Sequence, residues 1–142
     1  MAAEQNKKLI QKLFSEVMTG KNLSIADEIF APGFINHGIP NAKKGPDGFK
    51  EVLQQFFDAY PDMKINVEHI IADDNNMVAT RGHWTGTNKG SFMGMPASSK
   101  TVRVEFIDVW KIENGKLAEN WVQMDMVGMM QQTGMMPAPA TA

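Results

Sequence analysis

A chain of 142 residues with a formal net charge of −2 has the length of one domain with a real hydrophobic core. The charge balance excludes the basic footprint of a nucleic-acid binder and the polybasic patch of a membrane-surface protein, and the absence of cysteine excludes a disulfide framework or a thiol nucleophile. The opening MAAEQNKK lacks the apolar core of a signal peptide and no apolar run reaches membrane-spanning length, so a cytoplasmic protein is expected.

Taken in order, Leu9, Ile10, Leu13, Phe14, Val17 and Met18 recur at helical spacing and predict a helix over 5–18, stopped at Gly20. Asn22 is placed to cap a short second helix carrying Leu23, Ala26, Ile29 and Phe30, which Ala31-Pro32-Gly33 breaks. Phe34 to His37 reads as a short extended piece. Pro46 occupies a favoured first helical position and opens a third helix with the stripe Phe49, Val52, Leu53, Phe56, Phe57 and Tyr60, expected to lie across the concave face of a sheet. Lys64 to Ala72 alternates Ile65, Val67, His69 and Ile71 and predicts a strand; a turn then leads into a second, Met77 to Thr87. In that second strand Arg81, His83 and Thr85 share one face and Thr80, Gly82 and Trp84 the other. Periodicity leaves open which face is inward, although solvent-facing Arg81 and His83 would be the ordinary case.

After a Gly/Ser/Pro loop at 90–99 comes a β-hairpin over 101–125, with Asn114-Gly115 as its two-residue turn. The simplest register pairs Glu113 with Lys116, Trp110 with Glu119, Asp108 with Trp121, Phe106 with Gln123 and Val104 with Asp125. Opposed residues share a face, so the buried face of Val102, Val104, Phe106, Trp110 and Ile112 is expected to hold Asp108 and Asp125, about 13 Å apart, with Trp121 and Gln123 beside them. Two acids on an apolar face point to a polar pocket, because a buried carboxylate is costly unless bonded or neutral. One or two helical turns follow before Gly134, and a Pro/Ala tail over 135–142 is expected to be disordered. A single α+β domain over 1–134 results, with helices gathered on one face of a curved antiparallel sheet. Val109, Val122, Met124 and Met126 make the other face too apolar to be fully wetted, which predicts a homodimer packed through the sheets.

Phe34 to His37, Tyr60-Pro61-Asp62, Val78 to Arg81 with Gly86-Thr87, Gly90 to Gly94, Asn114 to Leu117, and Trp121 to Asp125 with Gln132 and Gly134 stand in an order that resembles the SnoaL-like polyketide cyclase (ester cyclase) branch of the nuclear-transport-factor-2-like superfamily. The resemblance implies a cone-shaped α+β barrel with a cavity between the long helix and the concave sheet. It implies that the aspartate of the last strand, here Asp125, is the general acid/base of an intramolecular aldol ring closure, and that His37 and Arg81 point into the cavity. The chain departs from its relatives at Asn88, where a His is frequent, at 97–100, where a Thr-Gly-Lys-like turn is frequent, and at Thr133, where a Leu is usual.

Aldol chemistry needs a base near an acidic C–H and a donor for the developing oxyanion, and it needs no cofactor. Asp125 is the candidate acid/base, with Arg81, His37 or His83 holding a carbonyl or ester oxygen of a hydrophobic small molecule. Trp121, Phe56 and Phe57 would form the wall, with Asp108 and Gln123 as further pocket residues. His37, His69 and His83 are not spaced as a metal site. Two other readings use the same residues: an epoxide hydrolase built on Asp125, Asp108 and Arg81, and a binding or carrier module without turnover.

Overall fold

The computed structural model describes residues 2–39 and 42–137. The N-terminal apolar stripe forms α1 (Ala2–Lys12), which runs on without a break into a π-helical segment, Leu13–Thr19. Its buried side is Ile10, Leu13, Phe14, Val17 and Met18, the spacing read from the sequence. A 3-10 turn, Leu23–Ile25, leads into the one-turn α2 (Ala26–Ile29). Asn22 precedes the turn as expected but makes no side-chain cap; its Oδ1 accepts from the Ser24 hydroxyl instead.

The extended piece expected at 34–37 is longer: β1 covers Phe30–Asn36 and pairs in parallel with the last strand. Pro32 is tolerated because β1 is an edge strand, where a missing N–H leaves no ladder bond unmade. Helix α3 (Pro46–Ala59) buries Phe49, Leu53, Phe56 and Phe57. Phe49 packs on Phe30 at a ring separation of 4.5 Å, and Phe56 meets Trp84 edge-on at 5.9 Å, so α3 lies over the sheet's inner face.

Strands β2 (Lys64–Ala72), β3 (Met77–Thr87), β4 (Thr101–Glu113) and β5 (Lys116–Met124) complete a five-stranded sheet of order β1-β5-β4-β3-β2. The α+β class with helices on one side of a curved, mostly antiparallel sheet is as read from the sequence. Two bulges alter the faces. Between Val67 and His69 the β2 register slips, so Ile65, Val67, Ile70 and Ala72 pack inward while Ile71 turns out, 67 % exposed. The uniform alternation expected for that strand is interrupted because Glu68 is inserted there.

The second bulge lies in the hairpin. Asn114 and Gly115 both take positive φ, and Glu113↔Lys116 and Ile112↔Leu117 pair as expected. The next pair is Lys111↔Glu119, with Ala118 as the extra residue. One inserted residue sends every later side chain to the opposite face. Asp108 therefore opposes Val122 and Phe106 opposes Met124, not Trp121 and Gln123.

Beyond β5, α4 (Met126–Thr133) is pinned to the sheet by Gln132, whose amide donates to Arg103 O at 3.0 Å and accepts from Arg103 N at 2.7 Å. Thr133, one of the departures noted from the sequence, is buried with its hydroxyl donating to Met129 O. The loop from 88 to 100 folds around Asn88, fully buried, whose Oδ1 accepts from both Ser98 N and the Ser98 hydroxyl and whose Nδ2 donates to Gly90 O. Of the tail expected to be disordered, residues 138–142 lie outside the described residues. Among the described residues no helix is long and apolar enough to cross a membrane.

Candidate functional site

The inward face of β3 is Val78, Thr80, Gly82 and Trp84, all buried. Trp84 decides the choice: its indole is the largest apolar surface on the strand and packs under Phe56 and Tyr60. Strand alternation then sends Arg81 and His83 to the convex side. On β4 the inward face is Val102, Val104, Phe106, Asp108, Trp110 and Ile112, as the sequence indicated. Beyond the bulge, β5 turns Asn120, Val122 and Met124 inward.

These strands, the π-helical segment and α3 enclose a cavity of ≈ 80 Å³. Its wall is apolar, from Phe14 and Met18 of the π-helical segment, Leu53 and Phe56 of α3 and the indoles of Trp84 and Trp110. Its polar side chains are Asn36, Asp108 and Asn120, and the indole N–H groups of Trp84 and Trp110 are buried with no partner among the described residues. No Lys, Arg or His lines it among the described residues. Asp108 is 5 % exposed, its Oδ1 has no hydrogen-bond partner, and burial pushes its carboxyl up to about 7. The cause is desolvation, with no neighbouring anion involved. Asn36 is oriented by Gly38 N, which donates to its Oδ1 at 2.9 Å; among the described residues nothing accepts from its amide N–H₂. Asn120 Nδ2 donates to Val109 O at 3.3 Å.

The residues expected to form one site are divided between two faces. Asp108 and Phe56 line the cavity; Phe57 is buried core beside Lys21, whose ammonium sits 5.2 Å from its ring. Asp125 is not on the buried face. It follows the end of β5, is exposed, and caps α4 by accepting from Gly128 N at 2.8 Å. Trp121 and Gln123 are exposed on the convex face, turned there by the bulge. His37 is also outside the cavity. Its ring stacks on Trp121 at 4.8 Å and its Nε2 lies 2.9 Å from Glu119 Oε1. Arg81 donates to Glu68 Oε2 at 2.8 Å, and His83 Nδ1 is 2.7 Å from Glu68 Oε1. The inward orientation expected of His37 and Arg81 is thus not found, and Asp125, Asp108 and Arg81 do not assemble as an epoxide hydrolase would require.

Of the pocket residues missed from sequence, the two amides are Asn36 and Asn120; the rest, Trp84 and Trp110 among them, are apolar wall. Asn36 stood in view as the third residue of the Phe34–His37 run. Asn120 was hidden because the simple register places it outward.

A family model described as SnoaL-like polyketide cyclase matches residues 8–133. No curated protein matches the chain. Among solved structures, TsrD from Streptomyces laurentii superposes with a TM-score of 0.84 at 21 % identity, over 94 % of this chain and 97 % of that one. IdmH from Streptomyces antibioticus gives 0.78 at 26 % identity, over 92 % and 99 %. A SnoaL-like polyketide cyclase from Agrobacterium tumefaciens str. C58 gives 0.75 at 19 % identity, over 89 % and 96 %. With a match over most of its length and the same fold in these structures, the chain belongs to the SnoaL-like polyketide cyclase family.

Proposed function

We propose that the protein is a cofactor-independent enzyme of the aldol-cyclase type, acting on a neutral, largely apolar carbonyl compound such as a polyketide-like ester, with Asp108 as general acid/base. The observation that carries this reading is a buried carboxyl with an unpartnered oxygen on the wall of an apolar cavity. An acid/base works best when its pKa lies near the operating pH, and burial brings Asp108 to about 7. In the ionised form Asp108 removes a proton from the carbon beside a carbonyl, and the resulting enolate forms the new C–C bond at a second carbonyl. The protonated Asp108 then returns the proton to the alkoxide. Asn36 and Asn120 supply amide N–H groups for the developing oxyanion. A wall without cationic groups supports a neutral substrate over a carboxylate or phosphate. At ≈ 80 Å³ the space is smaller than the roughly 300–1,000 Å³ of ligand sites, so α3 and the π-helical segment must part from the sheet to admit a ring system.

The test begins with native mass spectrometry of small molecules retained by the purified protein, followed by turnover assays on retained compounds and on a panel of polyketide esters. Asp108→Asn should stay folded and lose roughly 10²–10⁴-fold in turnover, the size of a lost general acid/base. Undiminished turnover in that variant would remove Asp108 from the chemistry. A retained ligand that neither form converts would leave a carrier.

The homodimer belongs to the same proposal, with a revised surface. Val122 and Met124 face the cavity, and Met126 packs against the core at the start of α4. The convex face instead carries a row paired strand to strand, Ile71↔Ala79, Ala79↔Val109 and Val109↔Trp121, with Ile107 beside it. Ile107 is 54 % and Trp121 38 % exposed. Light scattering at micromolar concentration should give twice the 15.8 kDa chain mass; a monomer would refute it.

A further inference from the structure

We infer that Thr80 is the positioning residue of Asp108: its hydroxyl is the group that holds the carboxylate in place and favours its ionised form. The two are directly paired across β3 and β4 on the concave face. Such pairs have Cβ atoms about 4.5–5.5 Å apart, within reach of short polar side chains. Thr80 is 1 % exposed and its Oγ1, like Asp108 Oδ1, has no hydrogen-bond partner. Buried polar groups are rarely left unbonded, and here two lie side by side whose needs are complementary. A hydroxyl donates to a carboxylate and accepts from a carboxylic acid, so one rotor serves both protonation states. Rotation about the Cα–Cβ bond of threonine exchanges its hydroxyl and methyl positions without moving the strand.

The other neighbours of Asp108 on the sheet are largely apolar. Val122 opposes it on β5, Trp110 and Phe106 flank it on β4, and Val78 and Gly82 flank Thr80 on β3. The helices contribute Phe14, Met18, Leu53 and Phe56 to the cavity that Asp108 lines. Among the described residues no other titratable or charged side chain lines that cavity from any element; its remaining polar groups are the amides of Asn36 and Asn120 and the indole N–H groups of Trp84 and Trp110, which can donate but cannot accept from the protonated acid. Thr80 carries the hydroxyl directly opposite the acid on the neighbouring strand, and the bond that it donates to the charged form is the stronger of its two modes.

The inference rests on Asp108 being the proton-transfer group, but its test does not need turnover. The side-chain carboxyl ¹³C shift of Asp108 is titrated in the parent, Thr80→Val, Thr80→Ala and Thr80→Ser, with circular dichroism confirming the fold of each. Thr80→Val keeps the branched shape and removes the donor, so the midpoint should rise by about one pH unit. Thr80→Ala should raise it likewise and serves if the valine variant does not fold. Thr80→Ser restores the hydroxyl and should restore the parent midpoint. Unchanged midpoints in the valine and alanine variants, or a serine variant that moves with them, would overturn the inference. Those outcomes are separable from failure of the catalytic reading, which undiminished turnover in Asp108→Asn would show without moving any midpoint here.

Discussion

On the convex face of the sheet Glu68 accepts from Arg81 and pairs with His83, and Glu119 lies between His37 and Lys111; on the concave face Asp108 has no such partner. The consequences run in opposite directions. The hydrogen bond with His83 holds Glu68 below the ordinary carboxylate range, and that with His37 does the same for Glu119, while burial raises Asp108. Paired acids in water are fixed as anions and can do little chemistry at neutral pH. An unpaired acid on the wall of an apolar cavity is destabilised as an anion and can exchange its proton near neutral pH. The sheet therefore separates carboxylates paired on its surface from the one left unpaired beside the cavity, the one that the proposed function uses.

Asp108→Asn should break this contrast with the largest effect. Because the folded-state pKa of Asp108 is raised, its stabilising contribution is fully present below the unfolded value near 4 and is lost as pH rises to about 7. The asparagine variant should match the parent in urea denaturation at pH 4 and exceed it by roughly 2–4 kcal/mol at pH 8. An equal difference at both pH values would show that the acid titrates normally. A second, smaller effect concerns the apolar row that the charged groups border. Trp121→Glu should shift the protein from dimer to monomer in light scattering while leaving the Asp108 titration in place. A dimer that survives this change would place the interface elsewhere. Glu68→Gln should do least. Its folded pKa is lowered, so its contribution is present above the usual carboxylate range and lost as pH falls. Exposed pairs contribute little, and Tm at pH 7 should fall by no more than about 2 °C, with no difference left in acid. A displaced Asp108 midpoint in this variant would mean that the two faces are electrically coupled after all.

The elements were legible because their signals are local. Strands β2 and β3 fall at Lys64–Ala72 and Met77–Thr87 as read, and the Asn114-Gly115 turn has the positive φ values its residues demand. The inward face of β4 was equally plain, since its alternation is unbroken from Val102 to Ile112. The site was legible only to the extent that it sits on that strand. Asp108 was singled out from an apolar face and is in the cavity. Its companions on β5 were misplaced, because nothing local distinguishes Ala118 as a bulge; Leu117 and Ala118 are both buried, and an Ala in a strand looks ordinary. Arg81 and His83 could be placed only by knowing which face Trp84 prefers, which is a matter of tertiary packing. The compensation around Asn88 was likewise hidden: Ser99 takes a φ of 62° within the turn at 97–100, held there by Asn88 O accepting from its N–H.

The single extra residue at Ala118 makes the cavity's composition a question of parity. Deleting it would leave the turn and β4 untouched yet exchange the whole inner set of β5 for the outer one. Trp121 and Gln123 would then oppose Asp108 and Phe106, and Asn120, Val122 and Met124 would turn to the convex side. No substitution of one amino acid by another could change so much of the wall at once. A one-residue insertion or deletion in this hairpin is thus a route by which a site on this frame is rebuilt in a single evolutionary step. Position-by-position transfer of roles across β5 holds only between chains that share the same count of residues after the turn.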